Sequence, residues 1–188
     1  MPPKQETEIK FRILGVHHLE EQLKKGGFTC KTPRTHEMNV LYDSALRSLA
    51  RRGELLRLRK YGDSWKITHK AKGKSGRHKS RAETETKVEN GEALASILAS
   101  LGLRPIFRYE KFRSEWSDGT GEVVIDETPI GNFAEIEGPV KWIDTTAKSL
   151  GVKRADYITE NYASLFFRWK KENKSAADEM TFATVKPA

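Results

Sequence analysis

The stretch ETEIKFR, residues 6–12, places Glu6, Glu8, Lys10 and Arg12 on every second position, with Ile9 and Phe11 between them. Successive side chains of a β-strand point to opposite faces, so a strand here carries four charges on one side. The pattern recurs along the chain. ELLRLRK puts Arg57 and Arg59 on one face, SWKITHK puts Lys66 and Lys70 around Thr68, and SRAETETK alternates Arg81, Glu83, Glu85 and Lys87 with Ala82, Thr84 and Thr86. YEKFR joins Lys111 to Arg113, EVVID ends on Asp126, and FAEIEG sets Glu135 and Glu137 around Ile136. Short alternating segments separated by turn signals describe an antiparallel β protein rather than a series of β-α-β units.

Eight strands are expected, at about 5–13, 36–43, 54–60, 64–70, 80–88, 107–117, 121–127 and 132–137. Hairpin turns fall at Tyr61-Gly62-Asp63, at Ser117-Asp118-Gly119-Thr120-Gly121 and at Pro129-Ile130-Gly131-Asn132. Helical periodicity appears at 17–25 and 91–101, each stopped by glycine, and again at about 143–150 and 159–169. The basic stretch KAKGKSGRHKSR, 70–81, reads as a long flexible loop, and the chain from about Lys170 onward reads as a frayed tail. With 188 residues the chain suits a single domain, taken as 1–169, with 170–188 as the tail.

A solvated outer sheet face accounts for any one of these charged strands. It does not account for the sorting by sign. Same-face neighbours on a strand lie roughly 7 Å apart, so Glu6/Glu8, Glu83/Glu85, Glu135/Glu137, Arg57/Arg59 and Lys66/Lys70 are repulsive pairs. Sorting suits a site that holds a cation and a polyanion together: carboxylates offer hard oxygen ligands to Mg²⁺ or Mn²⁺, and Arg and Lys grip phosphate oxygens. Eight strands can close into a barrel, and a lumen lined with charge would hold water, metal and ligand instead of packed aliphatics.

The formal net charge of +8 favours an anionic partner. A nucleic-acid face should be cationic throughout, and the interleaved carboxylates argue against one. No stretch reaches the roughly 20 apolar residues of a membrane span, and the opening residues lack the apolar core of a secretory signal. Cys30 is the only cysteine, which leaves no internal disulfide and no thiolate zinc cluster. A cytoplasmic protein is the expectation.

In chain order, ETEIK, NVLYD (39–43), LLRLR (55–59), WKITHK (65–70), SRAETE (80–85), YEKFR (109–113), VVIDETPIGNFAEIEG (123–138) and ENYASLF (160–166) resemble the successive signatures of the CYTH superfamily. These triphosphate tunnel metalloenzymes include class IV adenylyl cyclases, thiamine triphosphatases and inorganic triphosphatases. The resemblance covers roughly residues 5–168 and implies an α+β, mainly antiparallel fold, a closed eight-stranded β-barrel with helices packed outside. It also implies a small-molecule triphosphate (ATP, tripolyphosphate or thiamine triphosphate) bound with Mg²⁺ or Mn²⁺. Carried over by position, Glu6, Glu8, Glu135 and Glu137 resemble the metal ligands. Lys10, Arg57, Arg59, Lys66, Lys70, Arg81, Lys111 and Arg113 resemble the phosphate-gripping cations, with Lys72 as the alternative to Lys70. Lys10, Glu83, Glu85 and Asp126 are the catalytic candidates. The segments look closest to the class IV adenylyl cyclase-like branch, with a triphosphatase as the alternative and a non-catalytic polyphosphate or nucleic-acid binder behind both. Folds of this kind are often dimeric, so a homodimer is among the implied partners.

Several other signals carry less. GKS at 73–75 is not a Walker A loop, because the required glycine position holds Thr68. His17, His18, His36, His69 and His78 show no zinc spacing, and His69 is expected outside the barrel. Trp65, Trp116, Trp142 and Trp169 fit core or interface better than a base platform, and Tyr162 is expected to pack on the barrel exterior.

Overall fold

The computed structural model describes residues 3–74 and 76–185, so Ser75 of the GKS stretch and residues 186–188 of the tail lie outside the described residues. Eight antiparallel strands close into a barrel. They are β1 (Lys4–Ile13), β2 (Thr29–Ser44), β3 (Leu55–Tyr61), β4 (Ser64–Lys70), β5 (Lys79–Val88), β6 (Leu103–Ser117), β7 (Glu122–Thr128) and β8 (Gly131–Glu137). Around the barrel the order is β1-β5-β4-β3-β2-β6-β7-β8, closing back on β1. Five helices accompany it: α1 (Val16–Lys25), α2 (Ser48–Arg52), α3 (Gly91–Ser100), α4 (Val140–Ser149) and α5 (Tyr162–Glu172). None among the described residues is long and apolar enough to cross a membrane.

The alternation explains where the apolar core sits. The outward members of the strands meet helices, and two layers result. Ile9, Phe11, Trp116, Val123, Ile125, Ala134 and Ile136 pack with Leu19 and Leu23 of α1 and Ile143 and Ala147 of α4. On the other side Val40, Tyr42, Leu58, Trp65 and Ile67 lie under Leu94, Ala95 and Leu98 of α3. Asn90 caps α3, its Oδ1 accepting from the Ala93 amide at 2.9 Å, and Asn161 caps α5 through the Ser164 amide at 2.9 Å. Gly121, in the β6–β7 hairpin, must lack a side chain, since a Cβ there would stand 2.4 Å from the Trp142 ring and 2.7 Å from the Glu137 carbonyl oxygen.

The strands differ from the sequence expectation chiefly in length. β2 begins at Thr29 rather than near 36, because register shifts between Cys30 and Thr35 absorb Pro33, whose missing N–H otherwise argues against a strand. The five-residue α2 was not expected. Its amides are satisfied by Asp43, whose carboxylate accepts from Ser44, Leu49 and Ala50 at 2.7–3.0 Å.

The tail also departs from expectation. α5 runs on to Glu172, and beyond it Met180 and Val185 are buried. Met180 bonds the backbone of β6 through Arg108 and Glu110 at 3.0 and 2.9 Å, along the edge that β7, paired only from Phe112 onward, leaves open. A matching bridge joins Ile158 to Lys10 on β1, beyond the reach of β5.

These two bridges mark the end of the barrel that is closed. There the lumen-facing positions turn apolar: Leu41, Phe107 and Phe133 meet Tyr162, Leu165 and Phe166 of α5 in one buried cluster with Met180. Tyr162 therefore does not lie on the barrel exterior. An amphipathic helix pattern shows that a helix has an apolar side but not what that side covers. Among the described residues the lumen is consequently blind, open at the end where β1 starts and β8 finishes.

Candidate functional site

The lumen is a cavity of about 640 Å³. Its walls gather Glu6, Glu8, Lys10, Arg57, Arg59, Lys66, Lys70, Arg81, Glu83, Glu85, Lys111, Arg113, Glu135 and Glu137, fourteen side chains drawn from six strands. Lys70 rather than Lys72 is the lining residue. Cross-strand register sets who faces whom, and it segregates charge. The half built by β6, β7, β8 and β1 presents six carboxylates (Glu6, Glu8, Glu115, Glu122, Glu135, Glu137) and three cations (Lys10, Lys111, Arg113). The half built by β3, β4 and β5 presents six cations (Arg57, Arg59, Lys66, Lys70, Lys79, Arg81) and two carboxylates (Glu83, Glu85).

The cationic half is held in place by its own Glu83 and Glu85 and by Glu6 from the neighbouring β1. Lys70 Nζ donates to Glu6 at 2.6 and 2.9 Å and pairs with Glu83 at 2.5 Å. Lys66 Nζ donates to Glu85 at 2.8 Å, and Thr68, beneath it, donates to the same carboxylate at 2.9 Å. Arg57 in turn donates to Thr68 at 3.3 Å. Glu83 and Glu85, expected as catalytic groups, pair with Lys70 and Lys66 in the lining. Two donors remain spare: among the described residues Arg57 Nε and Arg81 Nε are buried without a hydrogen-bond partner. Leaving buried donors unmade is costly, and an anion in the lumen would satisfy them.

Behind the other half lies a network that the sequence reading did not find. Glu37 is fully buried, 3.2 Å from Arg59, 3.3 Å from Lys111 and 3.8 Å from Arg113. Burial pushes its carboxyl up, but the Arg59, Lys111 and Arg113 charges outweigh that and hold it well below the usual carboxylate range. Asn39 ties the group together, donating to Glu37 at 2.9 Å and accepting from Arg59 at 3.0 Å. Asp126, expected as catalytic, is fully buried behind the lining residues. Its carboxylate accepts from Lys111 at 2.9 Å, twice from Arg113 at 2.7 Å, and from the Tyr162 hydroxyl at 2.6 Å. Four donors saturate it, so its effect on the lumen is to aim Lys111 and Arg113.

Lys10 lies at the closed end, 2.9 Å from Glu135, which also accepts from Arg113 at 2.7 Å. Burial lowers the Lys10 pKa, yet Glu135 and Glu8 more than offset it and the ammonium is stabilised. The Glu135 carboxyl, raised by burial, is driven well below its ordinary value by Lys10, Arg113 and Lys111. Both groups are therefore ionised at neutral pH. Tyr109 also lines this end; burial raises its phenol, but Arg57, Lys111 and Arg59 bring it below the ordinary value.

The mouth is acidic on one side. Glu8 stands opposite Glu137 in the β1–β8 ladder, and Glu137 stands opposite Glu122 in the β8–β7 ladder. Like charges directly opposite one another destabilise a sheet, so this row of three carboxylates fits a divalent cation, and their hard oxygens fit Mg²⁺ or Mn²⁺. As the side chains stand, no three metal-binding groups converge on one point among the described residues, and Glu8 is turned onto Lys79 at 3.1 Å. A metal would displace that lysine. Glu122 and Glu115 are additions to the expected acidic lining. They escaped notice because each is a single acid with no like-signed neighbour two positions away.

None of the four tryptophans lines the lumen, and His69 is exposed beside Glu54, as expected. The basic loop between β4 and β5 is tied down by Arg77 and His78, which contact Asp144 of α4 at 2.6 and 2.9 Å.

The CYTH domain profile matches residues 4–162. A Methanocaldococcus jannaschii protein provisionally named an adenylate cyclase is 26% identical over 171 residues, covering 85% of this chain and 97% of its own length. A Vibrio parahaemolyticus structure, also provisionally named an adenylate cyclase, superposes with a TM-score of 0.78 at 19% identity, over 88% of this chain and 99% of that one. A Hippeastrum structure described as a provisional adenylyl cyclase with a dominant triphosphatase activity superposes with a TM-score of 0.63 at 18% identity, over 87% and 95% of the two chains.

Proposed function

Because the chain belongs to the CYTH domain family, we propose that its lumen holds the phosphate chain of a triphosphate together with Mg²⁺ or Mn²⁺, and that the reaction is adenylyl cyclase-like. ATP would give cyclic AMP and pyrophosphate: the ribose 3′-oxygen bonds to the α-phosphorus, the bond to the pyrophosphate oxygen breaks, and the hydroxyl proton is lost. The observation that carries this reading is the segregation of charge across the lumen, six cations to two carboxylates on one side and six carboxylates to three cations on the other. A triphosphate and a divalent metal need opposite surroundings within a few ångströms of each other, and these walls supply them.

In this reading Arg57, Arg59, Lys66, Lys70 and Arg81 grip the phosphate oxygens, and Lys10, Lys111 and Arg113 neutralise charge at the closed end. Catalysis then rests on positioning and electrostatic stabilisation, as phosphorus chemistry of this kind generally does. Lys10, held as an ammonium by Glu135 and Glu8, serves as a cation and not as a base. Glu6, Glu8, Glu135 and Glu137 would hold the metal, with Glu122 beside them; the ion would neutralise phosphate oxygens and ease deprotonation of the nucleophile.

One observation favours a second reading, a triphosphatase acting on tripolyphosphate or thiamine triphosphate. Among the described residues the lumen offers seventeen acidic and basic side chains and two aromatic ones, Tyr109 and Tyr162. Recognition therefore falls on the phosphate chain more than on the group attached to it, and water could replace the ribose hydroxyl as nucleophile. Incubating the protein with ATP, tripolyphosphate and thiamine triphosphate, each with Mg²⁺ or Mn²⁺, and separating the products distinguishes the two. Cyclic AMP with pyrophosphate supports the cyclase; orthophosphate without cyclic AMP supports the hydrolase; no product from any of them contradicts both.

Arg57 gives a sharper test of the grip on phosphate. Arg57→Ala is expected to raise the KM for a triphosphate by roughly 10- to 100-fold, in line with losing a charge-assisted contact of about 1.5–3 kcal/mol. Inhibition by a monophosphate should weaken much less. Equal effects on the two would place Arg57 outside the phosphate site.

A further inference from the structure

Tyr162 is the floor of the lumen. It opens α5, is 6% exposed, and donates its hydroxyl to Asp126 at 2.6 Å. Its ring carries two cations. Lys10 Nζ lies 4.4 Å from the ring centroid and Lys111 Nζ 4.8 Å. The ring itself is wedged by Phe133, edge-on at 5.7 Å, and by Tyr109, stacked at 5.9 Å. A lysine side chain is long and flexible, and two ammonium groups brought together repel each other. A fixed aromatic ring that attracts both reduces the cost of holding them there before any anion arrives.

We propose that Tyr162 is a positioning residue for the phosphate site: its ring fixes the Lys10 and Lys111 ammonium groups at the closed end, and its hydroxyl fixes the Asp126 carboxylate that aims Lys111 and Arg113. The inference rests on the reading of the lumen as a triphosphate site. It assigns the ring the larger part, because Asp126 keeps its bonds to Lys111 and Arg113 when the hydroxyl is lost. Simple filling of the core predicts otherwise, since an aliphatic side chain of similar size would then serve as well.

The test is calorimetric titration of tripolyphosphate into the metal-free protein and its variants. Tyr162→Phe, which keeps the ring, is expected to weaken binding by about threefold, and Tyr162→Leu by about tenfold or more. Tyr162→Met replaces Leu if the latter fails to fold. A folded ringless variant that binds as tightly as the parent overturns the proposal, as does a Phe variant that loses as much as the ringless one. A second readout needs no ligand. In protein labelled with ¹³Cε-lysine, two Hε signals, assigned through Lys10→Arg and Lys111→Arg, should be shifted upfield by the ring in the parent and in Tyr162→Phe, and should return to ordinary positions in the ringless variant. Ordinary positions in the parent would overturn the proposal. A parent that shows the shifted signals but does not bind tripolyphosphate would contradict the proposed function while upholding the placement of the two lysines.

Discussion

Glu8→Gln and Glu137→Gln are each expected to lower metal-dependent turnover by on the order of 100-fold or more, while the circular dichroism spectrum is unchanged. The two carboxylates stand opposite one another, with Glu122 next in the row. Glutamine keeps the size of the side chain and removes the charge that a divalent cation would answer. In Glu8→Gln it also takes away the charge that Lys79 meets at 3.1 Å, so a small loss of stability is expected there. Turnover that is lost while the spectrum keeps its shape separates a missing ligand charge from general damage to the fold. Unchanged turnover in both variants would remove Glu8 and Glu137 from the metal site.

The second large effect is on stability. Glu37→Gln should destabilise the protein by about 3–5 kcal/mol, the cost of breaking a buried ion network in which Arg59 loses its carboxylate partner while Lys111 and Arg113 keep Asp126. Glu37 is fully buried among Arg59, Lys111 and Arg113. Urea unfolding at neutral pH measures the change directly. Glu122→Gln, on the exposed rim, should move stability by less than about 0.5 kcal/mol in the same experiment. The pH dependence has a definite sign. The folded pKa of Glu37 lies below the ordinary value of 4.5, so its stabilisation is complete above that pH and is lost progressively as the pH falls below it. The parent should therefore lose stability in acid more steeply than Glu37→Gln. Parallel acid unfolding of the two proteins would show that Glu37 does not hold the cations together.

Much of the lumen was legible in the sequence because strand alternation is local. Once Glu6, Glu8 and Lys10 are on a strand they share a face, whatever the rest of the chain does. The same parity joins Glu37 to Asn39 and Leu41 on β2, but Glu37 has no like-signed neighbour to draw attention to it, and its partners Lys111 and Arg113 come from a strand more than seventy residues away. Asp126 reads as a lumen acid by parity, yet its depth depends on Tyr162, and the docking of α5 on the barrel end is a tertiary fact with no period of its own. The tail hid for a related reason. Its hold on β6 comes from backbone bonds at Met180, and a backbone bond leaves almost no trace in side-chain pattern.

If the lumen grips a triphosphate through its β3–β4–β5 wall, calorimetric titration of tripolyphosphate into the parent and into the Arg57→Ala/Arg59→Ala double variant will show it. One site per chain is expected in the parent, strengthened by Mg²⁺ or Mn²⁺, with a loss of affinity of about 100-fold or more in the double variant, since two charge-assisted contacts are removed. No binding by the parent, or equal binding by both proteins, would contradict it.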